Sequence, residues 1–447
     1  MRHSRESSAC WNGASSVHLR NCCNGFPVLS SPPLIFVPIS PSKRAIGASR
    51  RSAVNAWDHR PIAATTGLSL RWPQENDKAM FYDLGNYLFQ VSSFFSFCRL
   101  VNYISFRAIM AALTAVVLMF LFSRRFIMVM HRRSFLDQLR ETGIGSAFEK
   151  GGTPTMGGAL IVGSVGISAV LWGNWHQMFL PCTVGGMLWF GLLGFWDDYA
   201  KVLRGSGDRG MSERSKLVLQ ALFSGGFAWL CVSRFAPLGP ELATKLYVPF
   251  VKFPVLDLGP FYAVLIFLFV MFVSNAVNIT DGLDGLAIMP SIFVVVVLAV
   301  FAYVEGNRIY SGYLYYPYLR GAGELTVFGA AFVGAGVGFL WYNAYPAQIF
   351  MGDTGSLAIG GTMAVISVLL KQEMLFPILG GLFLAEAFTS QIQDKIGVRW
   401  LGRRLFYRAP LHHNLQHKGT AETKVVIRLW IISGILALLA LATLKLR

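Results

Sequence analysis

Ten separate stretches of this chain are long and apolar enough to cross a hydrocarbon core, and that repetition constrains the fold more than any single motif. A core about 30 Å thick takes about 20 apolar residues as helix, and every backbone polar group inside it must be satisfied within the segment. The runs lie near 104–122, 156–173, 180–196, 216–233, 261–278, 286–304, 325–342, 354–370, 374–390 and 425–444. They predict an all-α integral membrane protein with ten transmembrane helices. The weakest boundary is the short break at Lys371-Gln372-Glu373. Charged residues make up 14% of the chain, well below the roughly 25% of water-soluble domains.

Residues 1–79 differ from the remainder. They hold ten Lys/Arg against four Asp/Glu, many Ser and Pro, and no apolar run long enough for a signal sequence or a span. We expect a disordered or mis-annotated extension with Met80 as initiator, an Arg- and Ser-rich transit peptide being the alternative. The membrane domain is then 80–447. The six Cys, three of them at Cys10, Cys22 and Cys23, show neither zinc nor disulfide spacing.

The net charge of +16 invites a nucleic-acid reading, but its distribution argues against one. Loops after odd-numbered spans carry nineteen Lys/Arg, from Arg124 to Arg428, and loops after even-numbered spans carry six. Basic residues accumulate in cytoplasmic loops, so the odd loops are expected inside and both ends of the ten-span core outside. No nucleic-acid partner is expected.

Polar motifs then fall on that cytoplasmic side. Asp197-Asp198 precede Lys201 at the end of the third span. Adjacent carboxylates repel, and a metal ion or Lys201 would relieve them. Asn278, Asp281 and Asp284, interleaved with Gly282, Leu283 and Gly285, end the fifth span. A helical turn there would place Asp281 and Asp284 on one face. Asp353 opens the eighth span beside Thr354, Gly355 and Ser356, where a helix N-terminus could receive a phosphate. Gly152-Thr153-Pro154-Thr155-Met156-Gly157-Gly158 is another hydroxyl-bearing turn, with Pro154 placed to start a helix. His412-His413 follow Ala409-Pro410-Leu411 in a basic loop, suited to phosphate contact or acid–base work. Carboxylates without thiolates favour Mg²⁺, held jointly with substrate phosphates.

In this order on a ten-span chain, Asp-Asp-x-x-Lys, Asn-x-x-Asp-Gly-x-Asp-Gly, Phe-Met-Gly-Asp-x-Gly-Ser and Ala-Pro-x-His-His resemble the polyprenyl-phosphate N-acetylhexosamine-1-phosphate transferase superfamily. The similarity runs from about Met80 to Arg447. Tyr345-Pro346-Ala347-Gln348 and Ala409-Pro410-Leu411-His412-His413 look like its peptidoglycan-precursor branch. That branch transfers phospho-MurNAc-pentapeptide from UDP-MurNAc-pentapeptide to undecaprenyl phosphate, giving lipid I and UMP with Mg²⁺, in the bacterial cytoplasmic (inner) membrane. The resemblance implies that Asp353 binds the metal and that Asp197 and Asp198 lie by the lipid phosphate, with Lys201 beside them. It further implies that Asn278, Asp281, Gly282, Leu283 and Asp284 line the nucleotide side, that Phe350 stacks on uracil with Lys150 and Thr155 nearby, and that His412 and His413 complete the site. A homodimer is implied as well. The family pattern has a third His where this chain has Asn414.

Attack of an anionic acceptor on an anionic diphosphate needs charge neutralisation and in-line positioning. Direct displacement is therefore preferred, with Asp197 or Asp198 orienting the acceptor phosphate or taking its proton, over a covalent aspartyl-phosphate on Asp198. Two other readings remain: a UDP-GlcNAc-1-phosphate transferase sharing the Asp motifs, and a transporter. The transporter would place its acids near the bilayer midplane.

Overall fold

The computed structural model describes residues 99–133, 152–203 and 210–446. The expected 1–79 extension and Lys150 lie outside these residues.

The protein is an all-α integral membrane protein. Its described helices are α1 (Ile104–Arg132), α2 (Gly158–Trp172), α3 (Phe179–Leu203), α4 (Glu213–Val232), α5 (Tyr262–Thr280), α6 (Ile288–Glu305), α7 (Arg308–Leu314), α8 (Glu324–Asn343), α9 (Gly352–Leu369), α10 (Phe376–Leu379), α11 (Gly381–Gln391), α12 (Leu411–His417) and α13 (Glu422–Ala442). A π-helical stretch, Ile392–Trp400, continues α11. The only strands among the described residues are β1 (Lys245–Leu246) and β2 (Leu256–Asp257), paired antiparallel between α4 and α5.

Each of the ten apolar runs coincides with helix. Among the described residues eight helices are long and apolar enough to span a membrane. The second run forms the shorter α2, and the ninth is broken at Gly380 into α10 and α11. Helix α1 extends ten residues past the expected end at 122, so Arg124 and Arg125 lie on helix rather than in a loop. Both side chains are exposed.

Helix α9 is the hub. Eighty-nine per cent of its most apolar window is buried, against 22% for α1, and it packs on α3, α5 and α2. Small residues permit such approach in a membrane, where helix association depends on packing rather than on water exclusion. A side chain at Gly334 of α8 would strike the Ala112 backbone of α1, and α1 and α8 form another extensive contact. Opposite the N-terminus of α9, its C-terminal end closes on buried polar groups. Lys371 donates to the Ala243 carbonyl at 2.9 Å, Gln372 to Glu305 at 2.7 Å, and the Tyr262 hydroxyl to Glu373 at 2.6 Å. The break read as a loop is thus part of the interior.

Candidate active site

The first turn of α9 is where the polar motifs meet. Gly352, at φ +73°, turns the chain into the helix, and a side chain there would collide with Asp198 and crowd Thr155. Phe350 and Met351 are held by the 152–158 turn: Phe350 N–H donates to the Pro154 carbonyl at 2.8 Å, and Gly157 and Gly158 N–H donate back to Phe350 and Met351 at 2.9 Å. Pro154 therefore anchors a loop pairing, and α2 begins four residues later, because the pairing uses the backbone groups that an earlier helix start would need. Thr155 is brought beside Gly352 by the same contacts.

Asp198, at the end of α3, fills the N-terminus of α9. Its Oδ1 accepts from Asp353 N–H (3.1 Å), and its Oδ2 from the Thr354 N–H (2.9 Å) and hydroxyl (2.7 Å). A carboxylate is well placed there by the helix dipole. Of the donors read from sequence as a phosphate cradle, the Thr354 N–H and hydroxyl are thus taken up by Asp198, and Ser356 engages its hydroxyl with the Gly352 carbonyl and Asn278.

The remaining carboxylates carry an ionic network. Lys201 lies 2.8 Å from Asp197 Oδ2 and 2.9 Å from Asp353 Oδ2. Lys216, from the first turn of α4, reaches the same two oxygens at 3.1 and 2.5 Å. Asn278, near the end of α5, donates to Asp353 Oδ1 at 2.8 Å, and Met211 N–H donates to Asp197 Oδ1 at 2.7 Å. The relief expected from Lys201 is present, and Lys216 doubles it. Lys216 was counted in the sequence only as loop charge, since its partners are 19 and 137 residues away.

Asp281 and Asp284 do not share a helical face. Helix α5 ends at Thr280, Asp281 caps it at φ −78°, ψ 60°, and Gly285 takes φ +73°. The glycines break the turn, so the two side chains serve different places. Burial pushes the Asp281 carboxyl up to about 8, reinforced by the charges of Asp353, Asp198 and Asp284. Asp284 accepts from Ala347 N–H at 3.1 Å, holding the Tyr345–Gln348 turn. Leu283 packs with Leu286, Leu382, Val425, Val426 and Leu429, so its side chain is committed to apolar packing. Gly282 stands against the His412 ring.

His412, fully buried at the start of α12, pairs with Glu386 of α11 at 3.0 Å. Its ring centroid lies 4.3 Å from that of His413, which contacts Gln416 at 3.1 Å. Burial and the neighbouring His412 hold the His413 imidazole below its ordinary range, against opposing contributions from Gln416 and Glu386, with a smaller lowering from Arg408. Asn414 is buried beside them. Glu386 was missed by sequence reading because it lies inside the ninth apolar run without a motif around it.

Asp197, Asp198 and Asp353 offer oxygen atoms that all lie within 4.8 Å of one another. An all-oxygen set of this kind suits a hard divalent cation.

The Glycosyl transferase family 4 profile matches residues 180–371, which contain α3, α4, α5 and the whole of α9. Over 371 residues, 82% of this chain and 100% of the relative, the sequence is 43% identical to the phospho-N-acetylmuramoyl-pentapeptide-transferase of Desulfovibrio desulfuricans. With identity at that level over the full length of the relative, the chain belongs to the phospho-N-acetylmuramoyl-pentapeptide-transferase family.

Proposed function

We propose that this protein transfers phospho-MurNAc-pentapeptide from UDP-MurNAc-pentapeptide to undecaprenyl phosphate at the cytoplasmic face of a bacterial inner membrane, releasing UMP and lipid I, the first membrane step of peptidoglycan synthesis. The observation that carries this reading is the meeting of Asp197, Asp198 and Asp353 with Lys201 and Lys216 at the ends of three spanning helices, α3, α4 and α9. That arrangement suits charge-neutralised phosphoryl transfer beside a lipid. The clustering at one end, with the excess of basic loops there, favours the cytoplasmic side and disfavours a transporter with midplane acids.

Asp353 would hold Mg²⁺, with Asp197 and Asp198 close beside it. When bound, the ion would neutralise diphosphate oxygens and the departing UMP. The chain's own residues supply the rest. Lys201 and Lys216, now paired with carboxylates, are within reach of phosphate oxygens that approach Asp353. Asn278 fixes the Asp353 carboxylate. Asp198, with both oxygens held by backbone and hydroxyl donors of α9, is a positioning residue, and Asp197, whose Oδ2 faces the Lys201 and Lys216 ammonium groups, would orient the acceptor phosphate or take its last proton. An acceptor oxygen then bonds to the donor's sugar-bearing phosphorus as the bond from that phosphorus to the oxygen of UMP breaks. Phe350 stacks on uracil, with Thr155 and the Asn278–Asp284 segment on the nucleotide side.

The test is purified protein in vesicles containing undecaprenyl phosphate, offered either UDP-MurNAc-pentapeptide or UDP-GlcNAc. Lipid-linked product from the first alone is expected. Product from UDP-GlcNAc alone would replace this reading with the other superfamily activity.

A further inference from the structure

A buried acid–imidazole pair flanks the carboxylate cluster, and resting on the reading above, it supplies a residue that no motif identified. Glu386 Oε2 receives both the ring Nδ1 of His412, at 3.0 Å, and the His412 backbone N–H, at 3.3 Å. Glu386 and His412 are almost completely excluded from solvent. A carboxylate can only accept, so the contact at Nδ1 places the proton there and leaves Nε2 as the free ring nitrogen. Nε2 is buried, has no hydrogen-bond partner among the described residues, and points at Gly282, where any side chain would collide with it. Gly282 belongs to the turn that joins Asn278, bonded to Asp353, with Asp281. An unpartnered buried ring nitrogen facing a glycine beside a phosphate-handling cluster has the form of a ligand contact whose ligand comes from outside the chain.

The geometry points to Glu386 as the positioning residue that holds the Nδ1–H and orientation of His412 so that Nε2, taking up a proton from solvent as the nucleotide donor binds, donates to one of its phosphate oxygens. The logic is that of a carboxylate orienting a histidine from behind. The carboxylate also balances the charge of the ring when Nε2 donates. Gly282 is required because the ring reaches the site through the space its missing side chain leaves.

Two measurements test this. The first is ¹⁵N-histidine NMR of the intact protein in nanodiscs with inorganic phosphate and then UMP as probes. The neutral His412 ring is expected as the Nδ1–H tautomer, with the Nε2 signal moving on addition of UMP. An Nε2–H tautomer overturns the proposal. The second is a kinetic cycle of Glu386→Gln, His412→Asn and the double variant. Glutamine keeps the shape and an acceptor, and asparagine keeps the Nδ1 donor while losing Nε2. Glu386→Gln is expected to lower kcat by about 10- to 100-fold with the donor KM within about threefold, as for loss of an acid–base contribution. The double variant is expected to be no slower than His412→Asn within a factor of about three, because residues acting as one unit are not additive. Wild-type kcat in Glu386→Gln, or multiplied losses in the double variant, overturns the proposal. An inactive wild-type protein would instead defeat the proposed function, and the NMR result would still decide the pairing.

Discussion

Asp198→Asn separates a positioning role for this carboxyl from a nucleophilic one. Asp198 accepts from Asp353 N–H on one oxygen and from the Thr354 N–H and hydroxyl on the other. Asparagine has one oxygen, so its amide nitrogen must face one of those donors. A hydrogen bond to a charged group contributes about 1.5–3 kcal/mol. The charge at the helix N-terminus adds about 1–2 kcal/mol in a partly buried setting. Removing one negative charge beside Asp353 returns part of that loss. The net expectation is about 2–4 kcal/mol of local stability at the first turn of α9. At about 1.4 kcal/mol per factor of ten, amides near Asp353 and Thr354 should exchange roughly 30- to 700-fold faster. Hydrogen exchange with mass spectrometry on a peptide spanning residues 350–357 reads this directly. Turnover should fall as Asp353 loses its orientation, yet remain measurable. Unchanged exchange together with complete loss of turnover would refute the positioning role and restore a covalent step through Asp198.

Other perturbations bear on the same site and on the bundle around it. Lys216→Met should lower kcat by about 10- to 100-fold, at or below the value of one transition-state donor, because Lys201 touches the same two oxygens; an unchanged kcat would remove Lys216 from the site. Arg107→Met should destabilise the detergent-solubilised protein by about 3–5 kcal/mol, since Glu324 loses both bonds of a buried ion pair. Arg107→Met with Glu324→Leu should recover much of that, and failure to recover would show that the pair is not the source. In chelator-treated protein, the Asp281 carboxyl keeps its proton up to about 8, whereas an unfolded carboxyl loses it near 3.8. The folded state then binds more protons than the unfolded one across that window, so stability falls as pH rises from about 4 to about 8. Asp281→Asn should flatten this slope in thermal unfolding scans from pH 5 to 8, and an unaltered slope would exclude Asp281 as its source.

The helices were readable because each spanning segment carries its own signal: a run of apolar residues needs no partner to declare itself. The motif aspartates were readable because charge at membrane depth is conspicuous. What local spacing could not convey is pairing across the fold. Lys216 meets Asp353 across 137 residues, and Asp198 closes on Thr354 across 156. The expectation that Asp281 and Asp284 share a face assumed that helix continued past Thr280, and Gly282 and Gly285 end it. The α9 N-terminus was read as open to phosphate because the carboxylate that fills it comes from another helix. Glu386 was hidden by its apolar neighbours, although a lone acid within a membrane run is itself a signal of function.

The central claim is that the cluster around Asp353 is where phosphoryl transfer takes place. It is tested by measuring UMP release from UDP-MurNAc-pentapeptide in undecaprenyl-phosphate vesicles, for the wild-type protein and Asp353→Asn across a Mg²⁺ titration. The account predicts Mg²⁺-dependent UMP and lipid I from the wild type, and turnover reduced to below about one thousandth in the variant at every Mg²⁺ concentration. Near-normal turnover of Asp353→Asn at saturating Mg²⁺ would contradict it.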